Sequence, residues 1–128
     1  MEPLVAASIS IGITANDMQK SLRFYRDGLG FELGRTREEG GKIVFAVLKA
    51  GGGEISIGQD DFAKGRDRVK AVGLRIWIRT NQDVVAIANR AKAVGITLDG
   101  EPAPLPWGPL AFQVTDPDGF KITVVTAS

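Results

Sequence analysis

The feature that most constrains this chain is that its first half is repeated, element for element, in its second. When Ile9, Ile11 and Ile13 are laid on Leu74, Ile76 and Ile78, the stretch from Ser8 to Leu33 runs without a gap against the one ending at Leu98. Both triplets alternate as one face of a half-buried strand does. Asn16 falls on Asn81, a short polar side chain able to cap the helix that follows. Leu22 falls on Ile87 and Leu29 on Val94, within helix-period stripes, and Gly30-Phe31 falls on Gly95-Ile96, a glycine stop followed by an apolar strand. A repeat of this length reads as two copies of one supersecondary module.

In chain order, strands are expected at Ser8–Thr14, Phe31–Arg35, Ile43–Lys49 and Glu54–Gly58. The first two flank a helix opened by Asn16 or Asp17, with Met18, Leu22, Tyr25 and Leu29 inward and Gly28 and Gly30 at its end. Glu38-Glu39-Gly40-Gly41 and Gly51-Gly52-Gly53 are the turns between strands. The charged run from Gln59 to Val72 reads as a solvated linker, since its acidic and basic residues interleave. The second module then offers strand Leu74–Arg79, helix Gln82–Val94, strand Ile96–Asp99, a proline-stiffened loop Glu101–Pro109, and strands Leu110–Thr115 and Phe120–Thr126 around the turn Asp116-Pro117-Asp118-Gly119. The expectation is a single domain of the α+β class: tandem βαβββ modules at residues 8–58 and 73–126, a linker at 59–72, helices on one side of a curved mixed sheet and a concave cleft on the other.

Two absences narrow the chemistry. With neither Cys nor His, the chain has no thiolate nucleophile, no Cys-ligated metal, no imidazole base and no common hydrolytic triad. A formal net charge of +1 gives no general reason to bind nucleic acid or an anionic membrane. Apolar runs are too short to span a bilayer, and the opening residues lack the basic flank of a secretion signal, so a cytoplasmic location is expected. Gly51-Gly52-Gly53 precedes a strand, not a helix, and is no phosphate loop.

The stretch DMQKSLRFYRDGLGFEL resembles the first helix and second strand of the vicinal oxygen chelate superfamily, which includes glyoxalases, bleomycin resistance proteins and extradiol dioxygenases. DPDGFKITVV resembles its last hairpin, and paired βαβββ modules are its architecture. In the enzymatic branches, the resemblance implies a metal held by four side chains on the concave face, usually His or Glu. The matching positions here are Ser10, Glu54, Arg75 and Thr123, so one carboxylate remains and one position carries a fixed cation. Two hydroxyls and one carboxylate suit neither Zn²⁺ nor Ni²⁺ and leave Mg²⁺ or Ca²⁺ mostly to water. No metal and no other cofactor is expected. An Arg75–Glu54 ion pair, within the chain or across a dimer interface, is expected in the metal's place, the alternative being two solvated charges at a sheet edge.

Trp77 stands two residues beyond Arg75, on the same strand face, flanked by Arg75 and Arg79. It either stacks on a ligand or fills a subunit contact. For Trp107, in Pro104-Leu105-Pro106-Trp107-Gly108-Pro109, the resemblance to bleomycin resistance proteins implies a place at the edge of the ligand groove, the alternative being a lid packed on its own loop. Gln113 suits recognition of a polar ligand, Lys121 shares a face with Thr123, and Tyr25 belongs to the core. Two function classes follow. One is a metal-free small-molecule binder, a homodimer with grooves lined by both chains and Ser10, Glu54, Arg75, Trp77, Trp107, Gln113 and Thr123 in them; the resemblance implies antibiotic sequestration as a role. The other is a lyase, isomerase or dioxygenase, metal-dependent or with Glu54 as general base.

Overall fold

Asp17 opens the first helix. Its carboxylate accepts the backbone N–H groups of Gln19 (3.1 Å) and Lys20 (3.3 Å), which have no partner inside the helix. The computed structural model of the chain describes residues 2–127. In it strand β1 (Ile11–Ala15) leads to helix α1 (Met18–Leu22), which continues as a π-helical stretch (Arg23–Gly28). There the Leu29 N–H donates five residues back to Phe24 O at 3.1 Å. The wider turn buries the adjacent residues Phe24 and Tyr25 together, whereas Leu29 is only partly buried. Gly30 takes a positive φ of 89° as the chain leaves. Arg90, from the second module, donates to the exposed carbonyls of Asp27 (3.1 Å) and Arg26 (3.3 Å), placing a cation where the helix ends.

Strands β2 (Glu32–Glu39), β3 (Lys42–Ala50) and β4 (Gly53–Gln59) complete the first module. Gly40 and Gly41, both at positive φ, form a two-residue hairpin between paired Glu39 and Lys42. The sheet order is β1-β4-β3-β2, with β1 parallel to β4. The second module is β5 (Arg75–Thr80), helix α2 (Val84–Ala93), β6 (Gly100–Pro104), β7 (Leu110–Thr115) and β8 (Lys121–Thr126), in the order β5-β8-β7-β6 with β5 parallel to β8. This is the expected α+β arrangement of two βαβββ modules, one mixed sheet each. Ile13, Ile55 and Ile57 from the first sheet and Ile76, Phe112, Val114, Ile122 and Val124 from the second enter one core, together with Leu22, Tyr25 and Ala88 from the helices.

Three local expectations are corrected. The first strand starts at Ile11, not Ser8, which leaves Ser10 outside it and Ile9 82% exposed. The second helix is capped by Asp83, not Asn81: the repeat slips by one residue, and the Asp83 carboxylate accepts the N–H groups of Val85 and Ala86. The strand expected at Ile96–Asp99 lies instead at Gly100–Pro104, running into the expected loop. Ile96 is still tied to the helix end, its N–H on Ala91 O, and pairing with β7 begins at Gly100. Pro102 and Pro104 are tolerated because β6 is an edge strand with one side free of ladder bonds.

The charged segment after β4 is not simply solvated. Lys70 Nζ and Asp60 Oδ2 lie 3.2 Å apart with side chains 3% and 5% exposed, and Arg68 approaches the same oxygen at 3.5 Å. Burial pulls the Asp60 carboxyl up, but the Phe62 N–H and the two cations outweigh it and hold it below the usual carboxylate value.

Between β7 and β8, Asp116 Oδ1 accepts the N–H groups of Asp118 (2.8 Å) and Phe120 (2.9 Å). Its Oδ2 accepts the Tyr25 hydroxyl at 2.8 Å in a buried site, while Asp118 receives the Asn16 N–H and the Ser21 hydroxyl. The last turn of the second module thus anchors the first helix. Tyr25 is core, as expected, and its hydroxyl is spoken for.

Candidate functional site

Alternation along β5 sends Ile76 into the core (4% exposed) and leaves Arg75, Trp77 and Arg79 on the opposite face, away from α2. Registration sets Thr123 of β8 beside Trp77, and Gln113 of β7 beside Thr123. Four of the residues singled out from sequence, Arg75, Trp77, Gln113 and Thr123, therefore share one sheet face. A fifth arrives from the loop before β7. There Leu105 N–H bonds Pro109 O at 2.8 Å and Gly108 N–H bonds Leu105 O at 2.9 Å, closing a tight turn with Gly108 at φ 119°. Trp107 projects from this turn and its ring lies 6.3 Å from that of Trp77, tilted by 42°. The two indoles are 42% (Trp77) and 67% (Trp107) exposed, so flat apolar surface faces outward at this point.

The polar partners around the indoles differ in freedom. Arg75 Nη1 donates to Thr123 Oγ1 at 3.1 Å, and Thr123 is 1% exposed beneath it. The Gln113 amide packs over Gly100, where the missing side chain leaves room, and it makes no hydrogen bond to another described residue.

Glu54 and Ser10 belong to the other sheet and its approach. Glu54 sits at the start of β4, half-buried, with Ile55 and Ile57 turned into the core beside it. It lines a cavity of about 400 Å³ together with Ile9, Ile11, Phe31, Trp77 and Arg79. Ser10 is exposed ahead of β1 and joins none of these groups. The Arg75–Glu54 ion pair does not form within the chain: Arg75 is held by Thr123, and no carboxylate of a described residue comes within 4.0 Å of it. The two residues stand on different sheets, and sequence spacing carries no distance between sheets. A larger cavity of about 580 Å³ opens beside the first, between the modules, with Glu32, Lys49, Arg79 and Gln82 on its walls.

The family's metal can be tested against these donors. Among the described residues, no three His, Cys, Asp or Glu side chains gather in a group able to hold an ion. Thr123, at the fourth ligand position, already accepts from a guanidinium, and that cation repels a second one. The donor set does not fit a divalent metal.

The family model of the Glyoxalase/Bleomycin resistance protein/Dioxygenase superfamily matches residues 8–124. No curated protein matches the chain. Among solved structures, TioX from Micromonospora sp. ML1 superposes with a TM-score of 0.77 at 19% identity, covering 96% of this chain and 100% of that one. A superfamily member from Sphaerobacter thermophilus gives 0.72 at 24%, with 95% and 98% covered. Virulence protein STM3117 from Salmonella typhimurium gives 0.70 at 18%, with 98% and 100% covered. Likeness at these identities speaks for the fold.

Proposed function

The chain belongs to the glyoxalase/bleomycin resistance protein/dioxygenase superfamily, and from this premise we propose that it is a metal-free small-molecule binding protein. The observation that carries the reading is the indole pair, Trp77 and Trp107 at 6.3 Å, set over a sheet face with Arg75, Gln113 and Thr123. Exposed, tilted indoles offer stacking surface, and the free Gln113 amide offers directional hydrogen bonds. The cation locked at the third ligand position of the family makes a binding role more economical than metal chemistry. The working form in this reading is a homodimer in the cytoplasm, with grooves drawing on both chains and Glu54 reaching the hollow as a further anchor. The exposure of Leu4 (92%), Val5 (90%) and Ile9 (82%) supports it, because a second chain would cover that apolar arm. Sequestration of an antibiotic is the biological role proposed.

Tryptophan fluorescence titrated against a panel of planar aromatic compounds tests the reading. At least one should quench with saturation. Trp107→Ala and Trp77→Ala should each weaken that binding roughly tenfold, equivalent to about 1.4 kcal/mol. Glu54→Gln should weaken it by less. Loss of a turnover activity on Glu54→Gln, with ligand affinity unchanged in both tryptophan variants, would replace the binder by an enzyme with a carboxylate base.

A further inference from the structure

The indole pair is set among positive charges that the protein itself leaves without ion-pair partners. Arg75, Trp77 and Arg79 alternate along β5 on one face, and Lys121 is the register partner of Arg75 on the adjacent strand. Like charges directly opposite each other on neighbouring strands repel, and here the repulsion is retained. None of the three cations has an ion-pair partner within 4.0 Å among the described residues. Arg75 is engaged by Thr123, a neutral hydroxyl, and Lys121 Nζ reaches only the Thr115 hydroxyl at 3.5 Å. The Arg79 side chain makes no hydrogen bond to a described residue. It lies beside Val125, which is 3% exposed, and it borders both the 400 Å³ cavity shared with Trp77 and the larger one between the modules. The nearby carboxylates do not pair with these cations. Asp99 holds the Thr115 hydroxyl, and Glu54, on the wall of the smaller cavity, makes no ion pair.

We infer that the hollow selects planar aromatic ligands carrying an anionic group, an aromatic carboxylate in the simplest case. The ring lies against Trp77 and Trp107, and the acid is taken by Arg79, while Arg75, on the other side of Trp77, adds to the positive field. The inference rests on the binding reading above and names its ligand class. A guanidinium with no competing partner can give both of its parallel N–H donors to a carboxylate. A cationic ligand would meet three like charges and be rejected by the same arrangement.

Three probes with one ring system separate the possibilities: 2-naphthoate, 2-naphthylmethanol and 2-naphthylmethylammonium, each titrated into the full chain by tryptophan fluorescence at low salt. Naphthoate should bind about tenfold tighter than the alcohol, the worth of one charge-assisted hydrogen bond, and the ammonium should bind weakest. Raising the salt to about 0.5 M should narrow the spread. Arg79→Gln should reduce the naphthoate-to-alcohol preference at least about fivefold, and Arg79→Lys should restore part of it. Equal affinities for all three probes, or a preference unmoved by Arg79→Gln, overturn the charge selection and leave the binding reading standing. No binding of any probe overturns both.

Discussion

Phe112→Ala is expected to cost the fold about 3–5 kcal/mol, the largest loss foreseen for any single side chain here. Phe112 is fully buried on β7, an interior strand, opposite Val124 in the β7–β8 ladder. Hydrogen-bonded strands on both sides keep the backbone from collapsing into the space left by the ring, so the cavity stays open. Urea denaturation followed by circular dichroism measures the loss, with Trp107→Ala as the control. That second change removes an even larger aromatic, but one 67% exposed, and should shift the midpoint little. A loss below about 1.5 kcal/mol for Phe112→Ala would mean that the second sheet is not packed as described.

Asp116→Ala should rank next, at about 3 kcal/mol, because one carboxylate serves three donors: the N–H groups of Asp118 and Phe120 and the Tyr25 hydroxyl. Tyr25→Phe removes one of those bonds and should cost about 1 kcal/mol. Asp116→Asn keeps the shape and an acceptor for the two backbone groups and should fall between. The pH dependence separates charge from geometry. Burial pushes the Asp116 carboxyl above its ordinary value of 3.8, outweighing the bonds from Tyr25, Phe120 and Asp118. The fold thus favours the protonated acid. This group's contribution is fully present below the unfolded value and is lost as pH rises through the raised folded one. The stability of the natural chain relative to Asp116→Asn should therefore decline from about pH 4 upward and then level off. A relative stability that rises over that range would refute the assignment. The phenol behaves consistently: burial, then the neighbouring Asp116 charge, drives Tyr25 well above the ordinary range, so it remains a donor.

What the chain reveals before folding depends on whether the signal is local. Alternation placed β3, β4, β5, β7 and β8, and the turns at Gly40-Gly41 and Asp116–Gly119 announce themselves through glycine and proline. Alternation also put Arg75 and Trp77 on one face, and the same step of two reaches Arg79. The π-helical stretch was hidden, because a 3.6-residue stripe through Met18, Leu22, Tyr25 and Leu29 does not foretell that Phe24 is buried too. Strand β6 was displaced because prolines read as loop when the free side of an edge strand is unknown. Pairings between distant elements were beyond reach: Arg75 with Thr123 in place of Glu54, and Tyr25 with Asp116. The indole pair lies between these cases, since the face of Trp77 follows from alternation while the reach of the Trp107 loop does not.

The sequestered ammonium of Lys70 carries a chemical consequence. Every other lysine of the chain is exposed, whereas this one is closed off against Asp60. An amine-acylating reagent would mark the outer lysines of the native molecule at once and reach Lys70 only when the segment lifts. The rate at which that one site is labelled reports how often the segment joining the two halves opens.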